Sequence, residues 1–533
     1  MGVTLQGYGG VGEIGGNAFL LEGGGSRLFL DLGKRFGSDP RPGAARTPGW
    51  NDYYDDFLQP RGTTLAPDLM RLGIIPDLPT LWRQDRGGQA GASPVDGVLV
   101  SHAHMDHCGL LGLLRPDVPI WLSPGSRATL ASLQETGGGV MAEYLEARPK
   151  GILPKKDGSP GKGTAWKDPE TGDPVAATRP TDGGAVQVGD WDLKHFDVDH
   201  SIHGARATLL EGPLSVVYTG DFRMHGRDPD ATKRFVERAG GVDVILAEGT
   251  RVRPPGDDHG HNNTDDESMV AAEMGAMLRA AGDRFVGVSF PPRDLDRFLS
   301  IWDVAREHGR RLVIPTKLAH LLDSVRGSGE PGLPDPRRDP HIAIHAPVRK
   351  KGVRAMPPGT LLMPDRDLAM HPVQVGDEEW SDFWLSDHET WERPYLTGDN
   401  TVTSADVAAA PHAYLFSISY WTISELFDLF PQTPGPRAGG LYIHSMTQPF
   451  NDEMEIGDRK LDRWLSAFNL ERHDTHVSGH LSTEDLDWVL DEIGARTLVP
   501  IHSEAPHLSA ERYQAKEGRG ALLPEPGRTL HLG

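Results

Sequence analysis

Ser101-His102-Ala103-His104-Met105-Asp106-His107-Cys108-Gly109 decides how the rest of the chain is read. Three imidazoles and a carboxylate fall within six residues. The apolar run Val98 to Val100 leads in, and Leu110, Leu111, Leu113 and Leu114 lead out. This pattern predicts a buried strand, a tight loop holding the polar residues, and a helix packed through its leucines. In an extended segment His102 and His104, two apart, turn to one side and suit one metal. Asp106 and His107 follow at the bend and can face a second metal. Imidazole with carboxylate suits zinc, and also manganese or iron. The helical H-E-x-x-H arrangement is absent, which argues against that protease class. A His-rich surface loop is the bland alternative; four ligand-type residues at this spacing behind a buried strand count against it.

Composition narrows the class. A chain of 533 residues is expected to hold more than one domain, and 38% hydrophobic residues suffice for sizeable cores. The net charge of −22 argues against a body coated in basic surface, though a local basic groove is compatible with it. One cysteine, Cys108, excludes a disulfide framework and fits a reducing compartment. Beside His107 it reads as a small packed residue before a ligand or redox thiol. The sequence holds no apolar run of membrane-spanning length and shows no basic-then-apolar signal pattern. No membrane association is expected, and the expected location is cytoplasmic.

His-x-His-x-Asp-His resembles the signature of the metallo-β-lactamase superfamily. That resemblance implies a four-layer αββα sandwich, of class α/β, with a one- or two-metal hydrolytic site at one edge. Gly10-Val11-Gly12-Glu13-Ile14-Gly15 fits G-x-G-x-x-G, but a dinucleotide site needs a helix to follow. Strand, turn and strand are predicted there instead, from Asn17-Ala18-Phe19-Leu20-Leu21, Gly23-Gly24-Gly25 and Leu28-Phe29-Leu30. Gly12-Glu13-Ile14-Gly15 and Asp31-Leu32-Gly33 also resemble the opening of the ribonuclease J family. The resemblance gives Asp31 the role of steadying the metal loop.

Further along, a strand over 191–198 delivers Asp199-His200-Ser201-Ile202-His203. Either His200 or His203 could complete the first metal's shell. The family has His-Ser-Ile here, which selects His200; His203 stands where Pro is usual. A strand over 214–218 ends in Thr219-Gly220-Asp221, and Asp221 is placed to bridge two metals. A strand over 242–247 leads to Glu248. A capping box, Thr264 to Glu267, opens a helix through Ala281; a second helix runs from Asp294 to His308 and a strand from Leu312 to Pro315. This alternation resembles the β-CASP module of the nucleic-acid-processing branch, inserted in the main fold. Glu248 then takes the branch's first extra motif. The segment 327–403 reads as Pro-rich and irregular, with Ile423 to Phe430 helical beyond it. Near the end, Thr475-His476-Val477-Ser478-Gly479-His480 precedes a helix over 483–493, a strand over 497–501 and then His502. His-x-Ser-Gly-His closely resembles ribonuclease J, so His480 and His502 match the second and third extra motifs. The implied domains are 1–248 and 471–533 for the sandwich and 249–470 for the β-CASP insert. The family's separate C-terminal domain is not expected, because few residues follow His502.

The resemblance therefore implies two divalent metals, zinc first and manganese second. The first would be held by His102, His104, His200 and Asp221, the second by Asp106, His107, Asp221 and His502. His476, Ser478 and His480 match phosphate-binding positions. His480, oriented by Glu248, is the implied acid, and Asp221 and Asp31 complete the catalytic group. The expected function is hydrolysis of RNA, single-stranded first, by a metal-activated hydroxide that leaves 5′-phosphate ends, with an exonuclease among the modes. A DNA nuclease of the same branch and a lactonase- or lactamase-like hydrolase are the alternatives. A homo-oligomer is compatible with all three. Basic residues over 148–184 and at Arg349, Lys350, Lys351 and Arg354 read as phosphate contacts or as solvated loops. The aromatics Trp50, Tyr53, Tyr54 and Phe57 read as packing first and base stacking second.

Overall fold

A computed structural model describes residues 2–37, 49–50, 65–137, 150–151, 164–165, 186–254, 265–347, 360–364, 370–374, 385, 388–430, 439–449 and 452–533. Tyr53, Tyr54, Phe57, Thr264, most of the basic segment 148–184 and the 349–354 cluster lie outside these residues. The chain divides into two compact units. The first comprises Met1–Asp258, Gly327–Glu330 and Ser478–Gly533; the second comprises His259–Arg326 and Pro331–Val477.

Two sheets make the first unit. One has six strands in the order Thr529–His531, Thr4–Gly9, Ala18–Gly23, Ser26–Leu30, Gly97–Leu99 and Ile120–Trp121. The other has seven, in the order Gly520–Ala521, Thr497–Ile501, Val244–Glu248, Ser215–Tyr218, Arg206–Glu211, Trp191–Asp197 and Val186–Val188. Alternate side chains explain the layering. Leu246 and Val499 join Leu5, Phe19, Leu21 and Leu30 in the core shared by the two sheets. Their neighbours Ile245 and Leu498 turn the other way, into a core with Phe235, Leu486, Val489 and Leu490. Those last four belong to the helices Pro229–Arg238 and Thr483–Ile493. Leu110, Leu111 and Leu130 lie in the same buried cluster with Phe29 and Val98 of the first sheet. The unit is an α/β sandwich, as expected.

The glycine-rich stretch after Gly9 carries no helix: Ala18–Gly23 pairs antiparallel with both Thr4–Gly9 and Ser26–Leu30. The segment after the metal loop corrects the expected helix. Met105–Cys108 is a single helical turn, and Leu111–Leu113 forms a 3-10 turn. The leucines are buried, but short turns bury them as fully as a helix would. A helix follows from Pro124, capped by Ser123, and is described to Thr136.

The second unit holds a seven-stranded sheet in which every described pairing is parallel. Its order is Thr401–Val402, Ile342–His345, Arg311–Pro315, Tyr414–Ser417, Phe285–Ser289, Gly440–His444 and Leu470–Asp474. Ile342–His345 is a buried strand inside the stretch expected to be irregular. Four apolar-rich residues among prolines and charges give too short a run to stand out. Asp266, rather than Thr264, caps the helix Glu267–Ala281, accepting from Met269 N. The expected helix over 423–430 begins as a 3-10 turn, Tyr420–Glu425, and becomes α-helical at Leu426–Leu429.

Ile245 is fully buried in the first unit's sheet-on-helix core. Ile245→Ala is expected to cost about 2–5 kcal/mol. A denaturant midpoint matching that of the parent chain would contradict this packing.

Candidate metal centre

Most of the residues singled out in the sequence lie in the first unit, several of them just beyond or at the C-terminal end of a strand. Asp31 follows Ser26–Leu30, and His102 follows Gly97–Leu99. His200 follows Trp191–Asp197, Asp221 follows Ser215–Tyr218, Glu248 ends Val244–Glu248, and His502 follows Thr497–Ile501. Strand ends are rigid supports, and here they are drawn tight. Asp31 and His502 adopt positive φ angles of 60° and 48°, a strained conformation for such residues that concentrates at functional sites. The His502 amide donates to Gly10 O at 2.8 Å, which fixes that turn. Gly33 permits the approach of the metal loop: a Cβ there would meet Asp106 O at 1.7 Å.

Three ring nitrogens form the first group. His104 Nδ1 lies 3.0 Å from His102 Nε2 and 3.1 Å from His200 Nε2. With metal–nitrogen bonds of about 2.0–2.1 Å, tetrahedral ligands stand about 3.3–3.4 Å apart, so the spacing suits a shared cation. His200 Nδ1 faces Gly479 O at 2.7 Å, so Nδ1 carries the proton and Nε2 presents a lone pair to the group. His203 is not part of this group.

Asp106, His107, Asp221 and His502 form the second group. His502 Nε2 is 3.2 Å from Asp106 Oδ2, and His107 Nε2 is 3.0 Å from Asp221 Oδ2. The same Asp221 oxygen lies 3.8 Å from His102 Nε2 and 3.8 Å from His502 Nε2, within reach of both groups. His107 Nε2 and Asp221 Oδ1 are buried and make no hydrogen bond. Orphaned buried donors and acceptors of this kind are rare. They are what a cation would satisfy, so the donor set fits divalent metal.

Charge tells the same story. Burial, then the imidazoles of His107, His200 and His104, hold His102 well below the ordinary histidine range. Burial and His104 do the same to His200. Both rings are therefore neutral, as ligands must be. Burial opposes charge on His107 too, but Asp221, Asp106 and Asp31 outweigh it and hold its pKa well above the ordinary value. Burial would likewise raise Asp221, yet His107, His502 and His480 hold it well below the usual carboxylate range. This pocket of carboxylates demands positive charge, whether a proton or a metal supplies it.

Supporting contacts orient the rings. Asp31 accepts from His107 Nδ1 at 2.6 Å, from Ser101 N and Ser101 Oγ at 2.7 Å each, and from the Tyr218 hydroxyl at 2.5 Å. Glu248 accepts from Phe222 N at 3.0 Å and faces His480 Nδ1 at 3.0 Å. Burial works against a charged His480, but Glu248 and Asp221 prevail and push its pKa up to about 9. Its Nδ1 is engaged by Glu248, and Asp221, Glu248, His480 and His502 form a third group of ligand-type residues. Cys108 is buried and donates to His104 O at 2.9 Å, the packed role expected of it. His476 belongs to the second unit, where its Nδ1 accepts from Arg297 at 3.3 Å. Arg297 is itself buried and bound bidentately to Glu267.

Sequence reasoning missed Thr250, two residues beyond Glu248. Its hydroxyl donates to Glu248 Oε2 and accepts from His502 Nδ1 at 2.8 Å. It couples the His480–Glu248 pair to the second group. It also missed the support given by Ser101 and Tyr218. Ser, Thr and Tyr carry no ligand signal of their own, and only the fold brings them here.

The family model described as a Beta-lactamase superfamily domain matches residues 75–284. Over those residues the chain is similar to the metallo-β-lactamase superfamily. Within that superfamily its likeness is to ribonuclease J. It is 26% identical over 320 residues to the ribonuclease J of Mycolicibacterium smegmatis, covering 58% of this chain and 44% of that one. The chain thus matches less than half the length of that relative. To the ribonuclease J of Sinorhizobium meliloti it is 24% identical over 518 residues, 94% of this chain and 69% of that one. Among solved structures, a protein of unknown function from Enterococcus faecalis V583 aligns over 99% of this chain and 100% of its own. The TM-score is 0.64 at 20% identity, a likeness of fold.

Thr250→Val removes the hydroxyl and keeps the shape. It is expected to weaken metal binding about 10–100-fold, as loss of a ligand's hydrogen-bond partner does, while Thr250→Ser retains it. Titration of chelator-stripped protein with zinc or manganese reads the difference; equal affinity for Val and Ser would remove Thr250 from the support of His502.

Proposed function

We propose that this protein is a two-metal phosphodiesterase acting as a ribonuclease. The observation that carries the reading is the shared carboxylate: Asp221 lies within reach of two donor groups, and the His480–Glu248 pair stands beside them. The likeness to ribonuclease J over most of the chain supports the substrate class.

His102, His104, His200 and Asp221 would hold one cation, and Asp106, His107, Asp221 and His502 the other, with zinc first and manganese second. Bound there, the cations would lower the pKa of water to about 7 and neutralise charge on phosphoryl oxygens. The chain's own residues do the rest. Asp31 holds His107, Thr250 holds His502 and the Gly479 carbonyl holds His200, each fixing which ring nitrogen is bare. Glu248 engages His480 Nδ1, which leaves Nε2 to face a substrate. His480 is partly open, with 22% of its side chain exposed against 1% for Asp221. As the P–O3′ bond breaks and oxygen from water bonds to phosphorus, His480 gives its proton to the departing 3′ oxygen. The product retains a 5′-phosphate. A pKa raised to about 9 keeps that proton in place at neutral pH.

We further assign the second unit to the inserted β-CASP module, with His476 and Ser478 contacting substrate phosphate. Arg297 donates to His476 Nδ1, and His476 Nε2 faces the Thr447 hydroxyl at 3.4 Å. Single-stranded RNA is the first substrate and DNA the second. No helix among the described residues is long and apolar enough to cross a membrane. The proposed location is the cytoplasm.

The test uses end-labelled RNA and DNA oligomers with 5′-phosphate or 5′-hydroxyl ends. RNA cleavage with 5′-phosphate products is expected; inertness of metal-loaded protein toward every oligomer would overturn the reading. His480→Ala is expected to lose about 10²–10⁴-fold in rate with metal content unchanged. Asp221→Ala should lose metal as well as activity, and full metal occupancy in that variant would remove the bridge. Chelation is expected to lower the melting temperature of the parent, because ligands that bind the folded state stabilise it.

A further inference from the structure

The turn that carries His480 is strapped down along its backbone. The Ser478 carbonyl accepts from His225 Nε2 at 2.9 Å and from the Arg223 guanidinium at 3.3 Å. The next carbonyl, Gly479 O, accepts from His200 Nδ1 at 2.7 Å. Leu481 N donates to Phe222 O at 3.0 Å, so the far end of the turn is tied to the same 222–225 segment. Within the turn, His480 N donates to Ser478 Oγ at 3.2 Å.

The strap is built, not incidental. Arg223 is fully buried, and Asp199 pairs with its Nε at 3.2 Å and accepts from Gly226 N at 2.8 Å. The Arg223 amide donates to Asp199 O at 2.7 Å, and Thr232 Oγ1 donates to Arg223 O at 2.8 Å. Gly226 is required here, since a Cβ would meet Asp199 Oδ1 at 2.2 Å. His225 thus stands on a fixed loop. Burial pushes its pKa down to about 4, so at neutral pH the ring has one proton, and the contact to Ser478 O places it on Nε2.

We propose that His225 is a positioning residue for His480: its Nε2–H grips the Ser478 carbonyl and fixes the turn that presents the acid to Glu248 and to the leaving oxygen. The inference rests on the phosphodiesterase reading for its kinetic consequence, but not for its structural one. A buried histidine that only satisfies a carbonyl would affect stability alone. A positioning histidine affects the step that needs a proton. Small displacements of a reacting group cost far more in rate than in binding.

The metal-loaded full chain is compared as parent, His225→Phe and His225→Gln. Phe keeps a ring and removes the donor; Gln restores a donor of similar reach. Two substrates are used: an RNA oligomer, whose 3′ oxygen needs a proton, and bis(p-nitrophenyl) phosphate, whose leaving group does not. His225→Phe is expected to lower kcat on RNA by about 10-fold or more, with KM little changed. The same variant should leave the nitrophenyl ester within about twofold, and Gln should recover the RNA rate. Hydrogen exchange of residues 478–481 is measured alongside and should speed up in Phe and not in Gln. Equal losses on both substrates, or unchanged exchange in His225→Phe, would overturn the proposal. If the parent cleaves neither substrate, the function fails, and the exchange measurement alone still decides whether His225 holds the turn.

Discussion

Lone pairs and carboxylates crowded into a dry pocket are the constraint on which the first unit depends. His102, His104 and His200 bring three ring nitrogens to about the edge length of a coordination tetrahedron, and Asp31, Asp106 and Asp221 add negative charge at the same place. Such an arrangement repels itself unless something positive sits in it, and burial makes the repulsion worse. Every nearby feature answers that demand. His107 is driven towards its charged form, and Asp221 towards its own. The strained backbones of Asp31 and His502 are tolerated because each is tied by a backbone hydrogen bond, to Leu99 and Gly10. Stability has been given up locally to hold a donor set that a divalent cation would fit.

Around this centre lies a layer of hydrogen-bonding groups that decide tautomers. A bare imidazole nitrogen is a ligand only if the proton is kept on the other one. The Asp31 carboxylate, the Gly479 carbonyl and the Thr250 hydroxyl do this for His107, His200 and His502. Glu248 serves a different end. The same kind of contact, made to His480, raises the affinity of that ring for a proton. One side-chain type is thus held neutral in His102 and His200 and pushed towards its protonated form in His480 by the choice of neighbours.

How much of this could be read beforehand follows from where the information lies. His-x-His-x-Asp-His is local, and its spacing alone separates two groups of ligands. The strand-terminal Asp221, Glu248 and His502 were readable because apolar runs announce strands and the residue after a run is at its end. Choosing His200 over His203 needed the family likeness, and its position against His104 agrees with that choice. Thr250, Ser101 and His225 were not readable, since a hydroxyl or a lone imidazole says nothing until the fold supplies a neighbour. The helix expected after Gly109 failed for a related reason. Leu110, Leu111, Leu113 and Leu114 are buried as predicted, but a four-residue apolar cluster does not distinguish an α-helix from successive tight turns. Ile342–His345 was overlooked because a strand buried on both faces has no alternation to betray it.

The pairing of Thr529–His531 with Thr4–Gly9 has a consequence for how the molecule is made. One edge strand of the first sheet, Thr529–His531, thus pairs with a strand more than five hundred positions earlier, and His502 follows Thr497–Ile501 of the second sheet. Both sheets, and the second donor group, therefore depend on pairings between segments far apart in the sequence. Contacts of such long sequence separation make for slow acquisition of the native state.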